Sequence, residues 1–225
     1  MKYFIIIFFF SCFLLTGCVG LKNIQDLTYI VAIGMDYDEE KGEYIAYLQG
    51  LNFASVAKQE GARTGETPPN FIASATGETL NLAVGKLYKT SEPPLYFGHV
   101  KTVVLTNRLI QSKSKEVLEE IGRNRSLRPT LRIVTTEEDI HEVFNVKALF
   151  DYPAIYTVLF KERREELATD ELKPTTLMEF LKTYYEPMGI AKLPSIKIDR
   201  ESWTADKAYP VLYLMAIALF NIKSM

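Results

Sequence analysis

The chain has 225 residues, a formal net charge of −2 and a pI near 5.8. No basic stripe dominates the sequence, which argues against nucleic acid as a partner. A hydrophobic content of 48% and an aromatic content of 12% are typical of a folded globular protein and exclude a disordered one.

The first 17 residues have the pattern of an export signal. Lys2 and the amino terminus give a positive start, and residues 3–15 are almost entirely apolar. This run is shorter than the roughly 20 apolar residues that a helix needs to span a bilayer, and it ends in small residues, as secretory signals do. We therefore expect a signal peptide over 1–17, cleaved between Gly17 and Cys18. The alternative is an uncleaved signal anchor, and in both cases the chain body leaves the cytoplasm.

The cleavage point Leu15-Thr16-Gly17-Cys18 resembles the bacterial lipobox, in which the cysteine thiol takes a diacylglycerol through a thioether. We expect Cys18 to be lipidated and residues 18–26 to form a short linker. The other cysteine, Cys12, lies within the signal. The mature chain would then keep no free thiol and no disulfide, which removes cysteine nucleophiles and thiolate metal sites.

Strands and helices alternate over residues 27–148, which we predict to be an N-terminal α/β domain. It is expected to begin with strands over 27–34 and 43–53 joined by a polar turn at 36–42, followed by a loop over 57–70 and a strand over 71–75. A helix over 78–89, a strand over 101–106 and a helix over 114–122 that ends at Gly122 come next. The last expected elements are a strand over 131–135 and a helix capped by Thr136 with Asp139.

Residues 149–225 are predicted to form a second α/β domain. Its expected elements are a helix over 154–168, a helix behind the capping box of Thr176 and Glu179, and strands over 193–198 and 209–220. The last run is apolar, too short to cross a membrane as a helix, and without a following strand. Because an open apolar edge strand promotes aggregation, we expect a further part of the protein or another subunit to cover it. The overall fold class is α+β or α/β, with mixed sheets, helices packed on them, and an incomplete second domain.

No enzyme signature is present, and we expect no catalytic residue, cofactor or metal. The two histidines, His99 and His141, are isolated, and the acidic run 36–40 lacks the spacing of a calcium loop. His99, after Gly98, is either a structural histidine or an interface residue. Arg123 and Arg125 belong to a small basic cluster with Arg128 and Arg132, which is either a solvated loop or a contact with anionic lipid headgroups. Gly98, His99, Arg123 and Arg125 are therefore the candidate interface residues.

Several segments occur in an order that is similar to one protein family. They are the Leu15–Cys18 motif, 24–31 with 34–36, 96–101 running into 102–106, 131–136 with 138–140, and 175–181 followed by Leu193 and Pro194. Together they resemble the Ger(x)C family, the C-subunit lipoproteins of bacterial spore germinant receptors. The sequence departs from the family pattern at Val19 and Gln25, where members commonly have tryptophan and an acidic residue. Members also continue through a third domain, so the resemblance implies a chain truncated within its second domain.

The resemblance implies a non-enzymatic subunit of a nutrient germinant receptor, required for spore germination. It would be a palmitate-bearing lipoprotein, anchored through Cys18 on the extracytoplasmic face of the spore inner membrane. Its partners would be the membrane itself and the integral-membrane A and B receptor subunits. The alternative is an extracytoplasmic lipoprotein that binds a small solute, which predicts an apolar pocket with a few converging polar groups.

Overall fold

This computed structural model describes residues 27–51, 70–147, 155, 159, 174–187, 189–203 and 209–221, with backbone alone for 216–221. The predicted signal peptide, the linker 18–26, most of the loop 57–70 and nearly all of the helix 154–168 lie outside these residues. No helix in the described ranges has both the length and the apolar character needed to cross a bilayer.

The described strands and helices alternate much as the sequence predicts. The strands are β1 (Thr28–Asp38), β2 (Glu43–Leu51), β3 (Asn70–Gly77), β4 (Leu95–Tyr96), β5 (Thr102–Thr106), β6 (Arg132–Thr136), β7 (Thr175–Thr176), β8 (Ile190–Asp199) and β9 (Val211–Asn221). The helices are α1 (Leu80–Thr90), α2 (Asn107–Arg123), α3 (Ile140–Asn145) and α4 (Leu177–Tyr185), and a 3-10 turn covers Phe97–His99.

All nine described strands belong to one mixed sheet, with the main order β3-β2-β1-β5-β6-β8-β9. The strands β1, β5, β6 and β8 run parallel to one another, whereas β2 and β9 run antiparallel to their neighbours. We call the end of the sheet where the four parallel strands begin the lower rim, and the end where they finish the upper rim. This architecture confirms the predicted α+β class.

Helices pack on both faces of the sheet. One buried cluster joins β1, β5 and β6 to α1, α2 and α4, with Leu87, Leu118 and Phe180 among its members. The other joins the opposite face to α3 and includes Phe144 and Ile155. The strands β8 and β9 continue the sheet through the pairing of β6 with β8. The division at 148/149 stays a prediction, and β9 ends the sheet as the predicted apolar edge strand.

Two helix starts differ from their predictions. The helix α2 begins at Asn107, not at Ser114, because the Thr106 hydroxyl caps it by accepting from the Leu109 amide (3.3 Å). A kink at Lys113 (φ −141°, ψ 21°) interrupts the apolar period, which hides this first turn in the sequence. The cap of α3 is Asp139, which accepts from two following amides, whereas Thr136 at the end of β6 donates to the Ile196 carbonyl.

Two other predictions on helix ends have opposite outcomes. The capping box of α4 is confirmed, since Thr176 and Glu179 exchange both hydrogen bonds. The predicted stop at Gly122 is wrong. Gly122 lies inside α2, and among the described glycines only Gly42, in the β1–β2 turn, has a positive φ (67°).

Gly34 is required by close packing between β1 and α3. A Cβ at this position would overlap the Ile140 Cγ2 atom and approach Tyr47 Cβ to 3.1 Å. We expect Gly34→Ala to lower the free energy of unfolding by about 1–3 kcal/mol through overpacking. The matched control is Gly85→Ala in α1, where a Cβ meets nothing within 4 Å. This change should stabilise by about 0.5–1 kcal/mol because alanine favours a helix over glycine.

Urea denaturation of both variants checks this prediction. Equal effects of the two substitutions, or a Gly34→Ala variant as stable as the parent, would contradict the packing of Ile140 against β1.

Candidate functional site

The most buried charged group of the described residues lies at the upper rim, where the sequence predicted a solvated turn. Asp36 is only 2% exposed, because β1 continues through it to Asp38. Its Oδ1 accepts from the Thr106 hydroxyl (2.5 Å), the Tyr37 amide (2.8 Å) and Arg108 Nε (2.6 Å). Its Oδ2 accepts from Arg108 Nη2. The prediction of Asp36 as a turn residue is therefore wrong.

This carboxylate connects the end of β1 with the start of α2. Thr106 ends β5 and also caps α2, so one hydroxyl bonds both the helix and Asp36. The bond to Asp36 raises the pKa of the Arg108 guanidinium. Burial, reinforced by Asp139 and Asp36, raises the pKa of the nearby Tyr47 phenol. Asp36 accepts all four of these hydrogen bonds from groups of the same fold, which favours a structural role over ligand binding.

Carboxylates dominate the remainder of the upper rim. Residues 36–43 contain five of them and residues 136–142 contain four, whereas these two segments hold one lysine. The basic side chains Lys197 and Arg200 pair with three of these acids, at 3.1 Å to Glu137 for the lysine and at 3.1 and 2.6 Å to Glu138 and Glu142 for the arginine. His141 is exposed on α3, with its Nδ1 3.0 Å from the Asn145 side-chain amide.

The lower rim carries the predicted residues Gly98 and His99 beside two tyrosines. The pairing of β4 with β1 sets Tyr96 opposite Tyr29. The exposed His99 ring stands perpendicular to Tyr29 at 5.1 Å between ring centres and lies 5.6 Å from Tyr96. A Cβ on Gly98 would come within 2.5 Å of the Tyr96 ring, so any other residue here would shift that exposed ring. His99 thus belongs to an aromatic cluster at the start of β5.

Arg123 lines a groove near the same rim, and Arg125 lies two residues further along the chain. Arg123 is the last residue of α2 and forms an exposed ion pair with Glu119 (3.2 Å), and Arg125 is exposed in the following loop. The groove, of about 720 Å³, separates the end of α2 from α4. Its walls are mainly apolar, with Leu127 and Leu181 among the lining side chains. The sequence alone could not reveal it, because its two walls are distant along the chain.

The two groups of candidate interface residues, Gly98 with His99 and Arg123 with Arg125, lie just before neighbouring strands. His99 precedes β5 and the arginines precede β6, and these strands are joined at the rim where the Arg132 amide donates to the Lys101 carbonyl (2.7 Å). Residues 123–132 contain four arginines and no carboxylate. Arg132 itself is half-buried and donates to the Pro174 carbonyl (3.1 Å). The lower rim is therefore basic and aromatic, in contrast to the acidic upper rim.

Tyr44 provides a pH-dependent stabilisation between β2 and α2. Its hydroxyl donates to Glu116 Oε2 (2.5 Å), and burial together with this carboxylate raises the pKa of the phenol. Above about pH 10 the unfolded chain releases a phenolic proton that the folded chain retains, so stability falls as pH rises. The slope is at most about 1.4 kcal/mol per pH unit for one group.

We expect Tyr44→Phe to make this alkaline slope shallower, and to lower the free energy of unfolding at pH 8 by about 1 kcal/mol for the lost hydrogen bond. Urea unfolding of parent and variant from pH 8 to 11 measures both effects. If the unfolding free energies of parent and variant fell in parallel with pH above pH 10, the role assigned to the Tyr44 phenol would be wrong.

The described residues contain no group of three or more histidine, cysteine, aspartate or glutamate side chains arranged to hold a metal ion. The fold and its two rims define an α+β domain whose distinctive features are surfaces of opposite charge and an apolar groove.

The comparisons with known proteins agree with the resemblance found in the sequence. Residues 20–198 match the family model described as the spore germination protein N-terminal domain, and the chain belongs to this family.

Curated relatives carry matching names. Spore germination protein KC of Bacillus subtilis (strain 168) is 29% identical over 130 residues, covering 57% of this chain and 32% of that protein. Spore germination protein GerQC of Bacillus cereus is 27% identical over 136 residues, covering 60% and 35%. The putative spore germination protein YfkR of Bacillus subtilis (strain 168) is 25% identical over 146 residues, covering 64% and 38%. The matched stretches thus span about a third of each relative. No solved structure matches the chain.

Proposed function

We propose that this chain is a lipid-anchored, non-enzymatic subunit of a nutrient germinant receptor in bacterial spores. The single observation that carries the proposal is the match of residues 20–198 to the spore germination N-terminal domain. A role in germination follows from this family. The receptor complex, the anchor and the lack of enzymatic activity are the parts that we propose.

The anchor is supported by the amino-terminal sequence. The family match begins at residue 20, two residues after the lipobox cysteine Cys18. Attachment of two acyl chains at Cys18 would hold the protein stably at a membrane, whereas a single chain would bind only marginally. The proposed location is the extracytoplasmic face of the spore inner membrane, where the integral-membrane A and B subunits would be the partners.

The structure supports a role through protein surfaces. The acidic and basic rims and the α2–α4 groove offer extended areas for contact. Among the residues that the structure describes, the buried Asp36 carboxylate is bonded entirely within the fold. These features suit a subunit that positions its neighbours.

Germination of spores that lack this chain tests the proposal. We expect such spores to lose their response to the nutrient that the receptor recognises, and an intact copy of the gene to restore it. Affinity purification of the tagged, complementing protein from solubilised spore membranes should recover the A and B subunits together. Normal nutrient responses in the deletion strain, tested over a full panel of amino acids and sugars, would contradict the proposed role.

A further inference from the structure

We propose that the lower rim faces the membrane and contacts anionic phospholipid headgroups through Arg125 and Arg128. This orientation rests on the proposed lipid anchor at Cys18. It adds a defined membrane-contact surface, and it places the acidic upper rim on the side that points away from the bilayer.

The first argument is the position of the tether. The strand β1 starts at Thr28 on the lower rim, ten residues after Cys18. Ten residues reach at most about 35 Å when fully extended, so the lower rim stays close to the anchored cysteine. The upper rim lies farther away by the length of β1, which has 11 residues and spans about 35 Å. The anchor therefore holds the lower rim nearer to the bilayer on average.

The second argument is charge. The loop between α2 and β6 presents Arg125 and Arg128 as exposed side chains, and no carboxylate of the described residues forms an ion pair with either. Exposed Lys101 and Lys192 add positive charge near the starts of β5 and β8. The described part of this rim also holds acids: Glu92 before β4, Glu119 paired with Arg123, Glu179 in the capping box of α4, and Glu186 after α4. The carboxylates are far more concentrated on the opposite rim, so an anionic surface attracts the lower rim and repels the upper one.

The third argument is the distribution of exposed apolar side chains. Nine large hydrophobic residues of the described chain are strongly exposed. Five of them lie near the lower rim: Tyr88 at the end of α1, Tyr96 in β4, Met178 and Tyr185 on α4, and Ile190 at the start of β8. Membrane interfaces favour this combination, in which tyrosine and aliphatic side chains lie beside basic ones. An acidic protein partner would also account for the exposed arginines. It would not, however, make use of the short tether, which holds this rim near the bilayer.

The chain contains one tryptophan, Trp203, which gives the test its built-in reference. It is 64% exposed and follows β8 at the upper rim. The acylated full-length mature protein is reconstituted on vesicles of phosphatidylcholine, with or without about a third phosphatidylglycerol, that contain acyl-brominated phospholipid as a quencher. A second protein carries Met178→Trp with Trp203→Phe, which moves the indole to a lower-rim position that is 59% exposed.

We expect strong quenching of the Met178→Trp indole on phosphatidylglycerol vesicles and little quenching of Trp203. The lower-rim quenching should weaken on pure phosphatidylcholine and in 0.5 M NaCl, because salt screens exposed charges. A basic side chain near an anionic surface shifts such an equilibrium by about fivefold. Arg125→Glu with Arg128→Glu should therefore lower the quenching to the phosphatidylcholine level.

The matched control is Lys41→Glu with Lys115→Glu, which makes the same change of net charge away from the lower rim and should leave the quenching unchanged. Equal quenching of Trp203 and the lower-rim indole, or equal effects of the two double variants, would overturn the proposal. A third result would also overturn it: no quenching of the lower-rim indole on vesicles, together with loss of receptor-subunit binding in the Arg125→Glu with Arg128→Glu variant. This result would assign the surface to a protein partner. Flotation with pure phosphatidylcholine vesicles separates these results from failure of the anchor, because a protein without acyl chains does not float.

Discussion

Replacing Cys18 with alanine is expected to abolish incorporation of labelled palmitate and to release the protein from the membrane fraction. The reason is that the thiol is the only group at this position that can form the thioether to diacylglycerol. Each buried CH₂ group contributes about 0.8 kcal/mol to membrane binding, so loss of two acyl chains removes nearly all of the attachment. Metabolic labelling followed by fractionation of the spore-forming cells measures both effects.

Cys12 supplies the matched control for this experiment, since it lies in the predicted signal and is the other cysteine of the chain. Cys12→Ala should keep the palmitate label and the membrane location. If palmitate still enters the Cys18→Ala protein and that protein stays in the membrane fraction, the assignment of the anchor is wrong.

Replacing Arg108 with leucine is expected to lower the free energy of unfolding by about 2–3 kcal/mol. Asp36 has a side chain that is 2% exposed and would lose both guanidinium donors. Removing one partner of a fully buried ion pair costs about 3–5 kcal/mol, because the remaining charge is left uncompensated. Water screens part of this interaction, since the Arg108 side chain is 60% exposed, so we expect a smaller effect.

The comparison variant is Arg200→Leu, which breaks two ion pairs at the surface of the upper rim. It should change stability by at most about 1 kcal/mol. Adding Asp36→Asn to Arg108→Leu should recover part of the loss, because a neutral amide needs no counter-charge. Urea denaturation of the four proteins separates these outcomes. An Arg108→Leu effect no larger than that of Arg200→Leu would show that the Asp36–Arg108 pair does not stabilise the fold.

The local elements of the fold were largely predictable from the sequence. The strand β5 has three consecutive apolar residues between two threonines and is buried throughout, and α4 shows its capping box and apolar period directly. The order of the strands was not predictable in this way. The pairing of β6 with β8 joins residues about 60 positions apart, and nothing in either segment specifies the partner.

Asp36 shows why a polar residue can be misplaced by sequence reasoning. The acidic run that begins at this position is typical of a turn, and Asp38 does form the turn by accepting from the amides of Glu40 and Lys41. Asp36 instead stays in β1, because it is paired with Arg108, which lies 72 residues later in the chain in the first turn of α2. A local pattern contains no information about such a distant counter-charge.

The candidate interface was predictable in part. The arginine cluster and the Gly98–His99 turn stood out by composition, and the structure places both at the lower rim. Their joint position follows from the parallel pairing of β5 with β6, which brings the segments before these strands side by side. The groove was missed because α2 and α4 are separated by residues 124–176. The opposite charge of the two rims likewise emerges only after the strands are ordered.

Intact-mass analysis of the protein purified from its native membrane tests the central claim most directly. The proposed function predicts a polypeptide that begins at Cys18 and carries the added mass of a diacylglycerol, with or without a further acyl chain on the new amine. A chain that retains residues 1–17 and has an unmodified Cys18 thiol would contradict it.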